Sequence, residues 1–123
     1  MSELQHFKIV GDHAEYRPAG KVPLSEAVAL VTSAIAFARE QGVRKLLVVT
    51  SQLTGFEPPS IATRYFFVKD WAFAAHGAVT IAMVARPEMI DPGKFGVTVA
   101  ANMGVSANVF ASEEPALAWL QNQ

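Results

Sequence analysis

The apolar positions of this chain fall into stretches of two kinds. In Lys45–Thr50 (KLLVVT) and Val79–Ala85 (VTIAMVA) they are nearly continuous. Short unbroken runs of this kind, rich in β-branched residues, suit strands covered on both faces, because no face is left for water. Elsewhere the apolar residues return every three or four positions. Val28, Val31, Ile35 and Ala38 do so within Leu24–Gln41, and Ile61, Tyr65, Val68, Ala72 and Ala75 do so within Ile61–Ala75. That spacing aligns them along one side of a helix. Pro23 or Ser25 starts the first helix and Gly42 is placed to end it, while Ser60 is a natural N-cap for the second and Gly77 ends it.

Before the first helix, His6–Val10 and His13–Pro18 flank Gly11-Asp12, a two-residue connection whose leading Gly suits a type II′ hairpin turn. The register that follows pairs Val10 with His13, Ile9 with Ala14, Lys8 with Glu15 and Phe7 with Tyr16. Phe7, Ile9, Ala14 and Tyr16 then share one face, and Lys8 meets Glu15 on the other. After the second long strand, Asp91-Pro92 opens a third helix that runs to near Gly104, although Val97, Thr98 and Val99 pull against helix. Ala107–Phe110 is a last short strand. Ser112 caps a final helix whose first turn carries Glu113 and Glu114, with Leu117, Trp119 and Leu120 available for docking. The order ββαβαβαβα predicts a single α/β domain over residues 1–123. Its mixed sheet has about five strands with covering helices, and Lys45–Thr50 and Val79–Ala85 are its neighbouring central strands.

Two features of the pattern fall outside this scheme. Phe66 and Phe73 lie seven residues apart on the side of the second helix opposite its apolar stripe, with Phe67 between the two faces. Phenylalanines pointing away from the sheet imply either a partner surface or a cover supplied by the Leu53–Pro59 loop. That loop carries Phe56 beside Gly55. An aromatic there either plugs a gap in the core or closes a pocket.

Composition narrows the chemistry. Ten Lys and Arg against eleven Asp and Glu give a net charge of −1 with no block of either sign, so the basic surface a nucleic-acid binder needs is not expected. The chain has no cysteine, which excludes disulfides, thiol catalysis and Cys-ligated zinc and fits a reducing cytoplasm. Apolar runs such as Ala34–Ala38 are far shorter than the ~20 residues of a membrane span, and Glu3 stands where a signal peptide would be basic. His6, His13 and His76 fit no metal-binding spacing, and Gly93-Lys94-Phe95-Gly96 only partly echoes a phosphate-binding loop. Asp70, Glu57 and Asp91 form no spaced carboxylate motif, and no serine stands in a nucleophile elbow. Neither a metal nor an organic cofactor is expected.

The element order, together with the segments AREQGVRKLLVVT (Ala38–Thr50), LTGFEPPS (Leu53–Ser60) and NVFASEEPALAWL (Asn108–Leu120), resembles the STAS-like or SpoIIAA-like family of anti-sigma-factor antagonists. The resemblance implies a non-catalytic regulatory module that works through protein partners. In that family a serine at the start of the second main helix is phosphorylated by a partner kinase, and Ser60 holds the matching place. Its surroundings, Pro58-Pro59-Ser60-Ile61, differ from the family's Asp-Ser-[Ser/Thr]-Gly. Independently of the resemblance, an anion at Ser60 would meet free N–H groups, and Arg64 and Arg86 are placed to reach the same end of the sheet. The sequence therefore leads to an interaction module that self-associates, or binds another protein, through Phe66, Phe67 and Phe73. The alternative is a carrier of a small apolar ligand or anion, with Phe56 over the pocket and Ser60, Arg64 and Arg86 as the anion site.

Overall fold

The five strands of the main sheet and the first, second and last helices form close to where the sequence placed them. In a computed structural model, residues 4–123 are described; Glu3, used above against a signal peptide, lies outside them. The order is β1 (Phe7–Val10), β2 (His13–Tyr16), β3 (Gly20–Lys21), α1 (Leu24–Glu40), β4 (Lys45–Val49), β5 (Leu53–Thr54), α2 (Ile61–Ala75), β6 (Thr80–Val84), a 3₁₀ turn at Pro87–Met89, α3 (Phe95–Asn102), β7 (Ala107–Phe110) and α4 (Glu113–Gln121). The main sheet runs β1-β2-β4-β6-β7, so β4 and β6 are neighbours near its middle. Only β1 is antiparallel to its neighbour. No helix among the described residues is long and apolar enough to cross a membrane.

Both faces of the central strands are used, which explains their unbroken apolar runs. Leu46 and Val48 of β4 pack with Val31 and Ile35 of α1 and Val68 and Ala72 of α2. The alternate residues Leu47 and Val49 join Ala82 and Val84 of β6 beneath Ala116 and Leu120 of α4. The crossovers β2-α1-β4, β4-α2-β6 and β6-α3-β7 all advance across the sheet in one direction. The shared handedness of such units then sets α1, α2 and α3 on one face and leaves the other to α4.

The hairpin keeps the expected register at all four pairs. Gly11 supplies the positive φ of its turn at 63°. Phe7 meets Phe37 of α1 edge-on, with ring centroids 4.9 Å apart. Ile9, expected on the buried face, is 54% exposed because β1 is the sheet's edge.

Three details differ from the sequence reading. The buried side of α2 is rotated. Val68, Ala72 and Ala75 face inward as expected, but Ile61 and Tyr65 are 50% and 39% exposed. Phe67 and Trp71 are drawn inward instead, and the Trp71 indole N–H donates to the Val28 carbonyl of α1 at 3.2 Å. The helix packs against α1 and α3 as well as the sheet, which shifts its buried arc. The second difference is the start of α3. Asp91 does cap, accepting the Phe95 N–H at 2.9 Å, but the helix begins only at Phe95, after Lys94 takes a left-handed conformation with φ 51°. Third, β3 and β5 pair in parallel as a two-stranded ribbon, two residues each, which leaves too short a pattern to read in the sequence.

Candidate ligand-binding site

The ribbon fixes where the following loop can go. Gly20 donates its N–H to Gln52 O and Val22 donates to Thr54 O at 2.8 Å, so the chain leaving β5 is tied to the segment that enters α1. From there, residues 55–60 cross the end of the sheet to α2. Below them the three helices of that face do not close fully on the strands, and a half-enclosed cavity of about 160 Å³ remains. Its walls are Val28 and Val31 of α1, Phe67 and Trp71 of α2, Ile81 and Met83 of β6, and Val97 and Ala100 of α3, with Phe56 over it from the loop. The hydroxyl on this wall, that of Thr50, donates to the Val84 carbonyl at 2.9 Å and is already satisfied. A mainly apolar space of this volume is large enough for a molecule comparable to benzene.

The charged residues of the lining are Arg64, Arg86, Asp91 and Lys94. Arg86 directly follows the segment after β6. One of its guanidinium nitrogens donates to Leu53 O at 3.3 Å and another pairs with Glu88 at 3.2 Å, so it holds the ribbon to the end of the sheet. The Lys94 ammonium donates to Asn108 Oδ1 at 2.7 Å and lies 5.2 Å from the Phe110 ring centre, a cation–π distance. Asp91 is occupied as the cap of α3. Arg64 projects from the first turns of α2 and has no side-chain hydrogen bond or ion pair among the described residues.

The sequence candidates divide accordingly. Arg64, Arg86, Phe56 and Phe67 all line the cavity. Ser60 does not line it. Its hydroxyl accepts the Thr63 N–H at 3.2 Å and caps α2 from an exposed position. Phe66 and Phe73 stand outside, 64% and 81% exposed, so the loop does not cover them. Lys94 and Asp91 were not singled out for this site by the sequence, because nothing in Asp91-Pro92-Gly93-Lys94 shows that a 3₁₀ turn and a left-handed Lys94 carry the chain back to the cavity.

The remaining chemical groups stay dispersed. His13 is buried in the hairpin with its Nε2 2.9 Å from Glu15 Oε2, on a strand that does not line the cavity. Asp70 borders a separate surface groove with Phe73. Among the described residues no three His, Cys, Asp or Glu side chains are arranged to hold a metal.

Comparison with known proteins adds the fold and little else. No protein-family model matches the chain, and no curated protein matches it. Among solved structures it is similar to the NMR structure of the protein TM1081, at 14% identity, over 100% of this chain and 92% of that one, with a TM-score of 0.51. The class so defined is a single α/β domain with a mixed five-stranded sheet and four helices. At that identity the likeness carries the fold alone.

Proposed function

We propose that the chain is a non-catalytic binding domain for a small, mainly apolar molecule held between the sheet and α1–α3. The observation that carries this reading is the cavity of about 160 Å³, lined mainly by apolar side chains with Arg64, Arg86, Asp91 and Lys94 among them. Close packing is the rule in protein interiors, and a void lined by Val, Ile, Met, Phe and Trp forfeits contacts that a ligand restores. The test uses the full ¹⁵N-labelled chain and 1-hexanol. Trp71 borders the cavity and Trp119 packs on the far face of the sheet, so the two indole N–H signals form a probe and its control. Saturable movement of the Trp71 signal alone is expected, and Ala100→Phe, which fills the space, should abolish it. Absence of any saturable shift in the wild type would remove the carrier reading.

A second reading rests on Phe66 and Phe73. A two-fold axis along α2 sets each ring against its own copy. Lys69 and Asp70 flank the rings by roughly 40–60° on opposite sides, so the same axis brings Lys69 of each chain to Asp70 of the other. This is the self-associating interaction module to which the outward phenylalanines of α2 lead. Its measure is the oligomeric state in solution, and it is independent of the cavity.

A further inference from the structure

We infer that the occupant of the cavity is a monocarboxylate, aliphatic or aromatic, whose carboxylate is held by Arg64. The inference rests on the carrier reading and adds the chemistry of the head group. The charged residues bordering the cavity are Arg64, Arg86 and Lys94 against Asp91, and with Glu88 paired to Arg86 they leave an excess of one positive charge beside an apolar space. Three of the four are committed within the fold. Asp91 caps α3, Lys94 is held by Asn108 and Phe110, and Arg86 is held by Leu53 O and Glu88.

Arg64 is the one without a partner among the described residues, and its position is unfavourable in isolation. It is partly buried. It also follows the Ser60 cap by one turn, where the helix dipole opposes a cation. A partly desolvated guanidinium without a counter-charge costs free energy that a bound anion offsets. Its planar fork of N–H donors matches the two oxygens of one carboxylate. The volume of about 160 Å³ accommodates an apolar group of about six carbons, by comparison with cavities that take benzene. Medium-chain fatty acids and arylcarboxylates satisfy both conditions.

The test compares sodium hexanoate, 1-hexanol and hexylamine on the full ¹⁵N-labelled chain, read at the Trp71 indole with Trp119 as control. Hexanoate is expected to bind about tenfold more tightly than hexanol, the scale of one charge-assisted hydrogen-bonding contact, and hexylamine more weakly than hexanol. Arg64→Gln should reduce hexanoate to the affinity of hexanol and leave hexanol unchanged, which also shows that the variant is folded around an intact cavity. Equal binding of hexanoate and hexanol by the wild type overturns the carboxylate while the carrier reading stands. Retention of the preference by the Arg64→Gln variant overturns the assignment to Arg64. If none of the three moves Trp71, the carrier reading fails and the inference falls with it.

Discussion

A single glycine decides whether the loop over the cavity can hold its path. Gly55 has φ 102°, a conformation that side chains rarely adopt, and a Cβ built there lies 2.7 Å from Val22 O and 2.9 Å from Val22 N. Both obstacles are backbone atoms of Val22, which follows β3 and donates its N–H to Thr54 O, so neither can turn aside as a side-chain tip would. Gly55→Ala is therefore expected to cost about 2–3 kcal/mol in urea unfolding, from strain and loss of the ribbon pairing. An effect near zero would show that the ribbon contributes little to holding the loop. Gly42 is the contrasting case. It too has a positive φ, 74°, but a Cβ there meets nothing within 4 Å, so its alanine variant bears conformational strain alone. The sequence shows Gly55 only as a hinge beside Phe56. The close approach of Val22 depends on a pairing between residues more than thirty positions apart, and no local pattern encodes it.

At the scale of elements, periodicity located the helices and strands well but could not fix how far a helix is turned. Ile61–Ala75 is helical as read, and Ser60 caps it as read. Its buried arc nevertheless includes Phe67 and Trp71 and leaves Ile61 and Tyr65 half in solvent, since apolar residues ring most of this helix. With so little contrast between faces, contacts with α1 and α3 choose the rotation. The same limit hid the cavity. Arg64 and Arg86 were legible as a pair near one end of the sheet, whereas the space beneath Phe56 arises from helix positions that no single segment records. Phe66 and Phe73 are outward in either rotation, and they are exposed in the fold. Burial of one such ring contributes roughly 1.5–3 kcal/mol, and association costs ~4–15 kcal/mol, so four rings at a two-fold axis sit near the threshold. Phe66→Ser with Phe73→Ser is expected to convert a dimer to a folded monomer, seen as later elution with unchanged far-UV circular dichroism. A wild type that is monomeric at high micromolar concentration would exclude self-association through this face. Loss of the fold in the double variant would instead mean that the rings support the core.

The molecule as a whole is asymmetric, with three helices over one face of the sheet and α4 over the other. The cavity lies in the thicker layer, so the thinner layer must be secured by other means. A charged chain crosses from the hairpin to α4. His13 Nε2 lies 2.9 Å from Glu15, Glu15 accepts from Arg17 at 2.8 Å, and Arg17 donates to Glu113 at 2.6 Å. The hydrogen bond to His13 first, and then Arg17, hold the Glu15 carboxyl below its ordinary value of 4.5 against the opposing effect of burial. Glu113 and Glu15 keep Arg17 protonated throughout the accessible range. A carboxyl whose pKa is lower in the folded chain than in the unfolded chain stabilises the fold above the unfolded value. That contribution diminishes as pH falls below about 4.5 and is gone once the folded carboxyl is protonated as well. Stability in urea is therefore expected to decline as pH falls from about 5 toward about 3, and Glu15→Gln should flatten the part of that decline due to this group. At neutral pH the same variant should lose about 1–2 kcal/mol, the scale of hydrogen bonds to a charged group, because Glu15 is only 17% exposed. Glu113→Gln should lose at most about 1 kcal/mol, since both ends of its bridge are over 40% exposed and solvent screens them. A pH profile of Glu15→Gln parallel to that of the wild type would place the acid-labile groups elsewhere, and a larger loss for Glu113→Gln than for Glu15→Gln would make the link to α4, rather than the hairpin carboxylate, the stronger part of the chain.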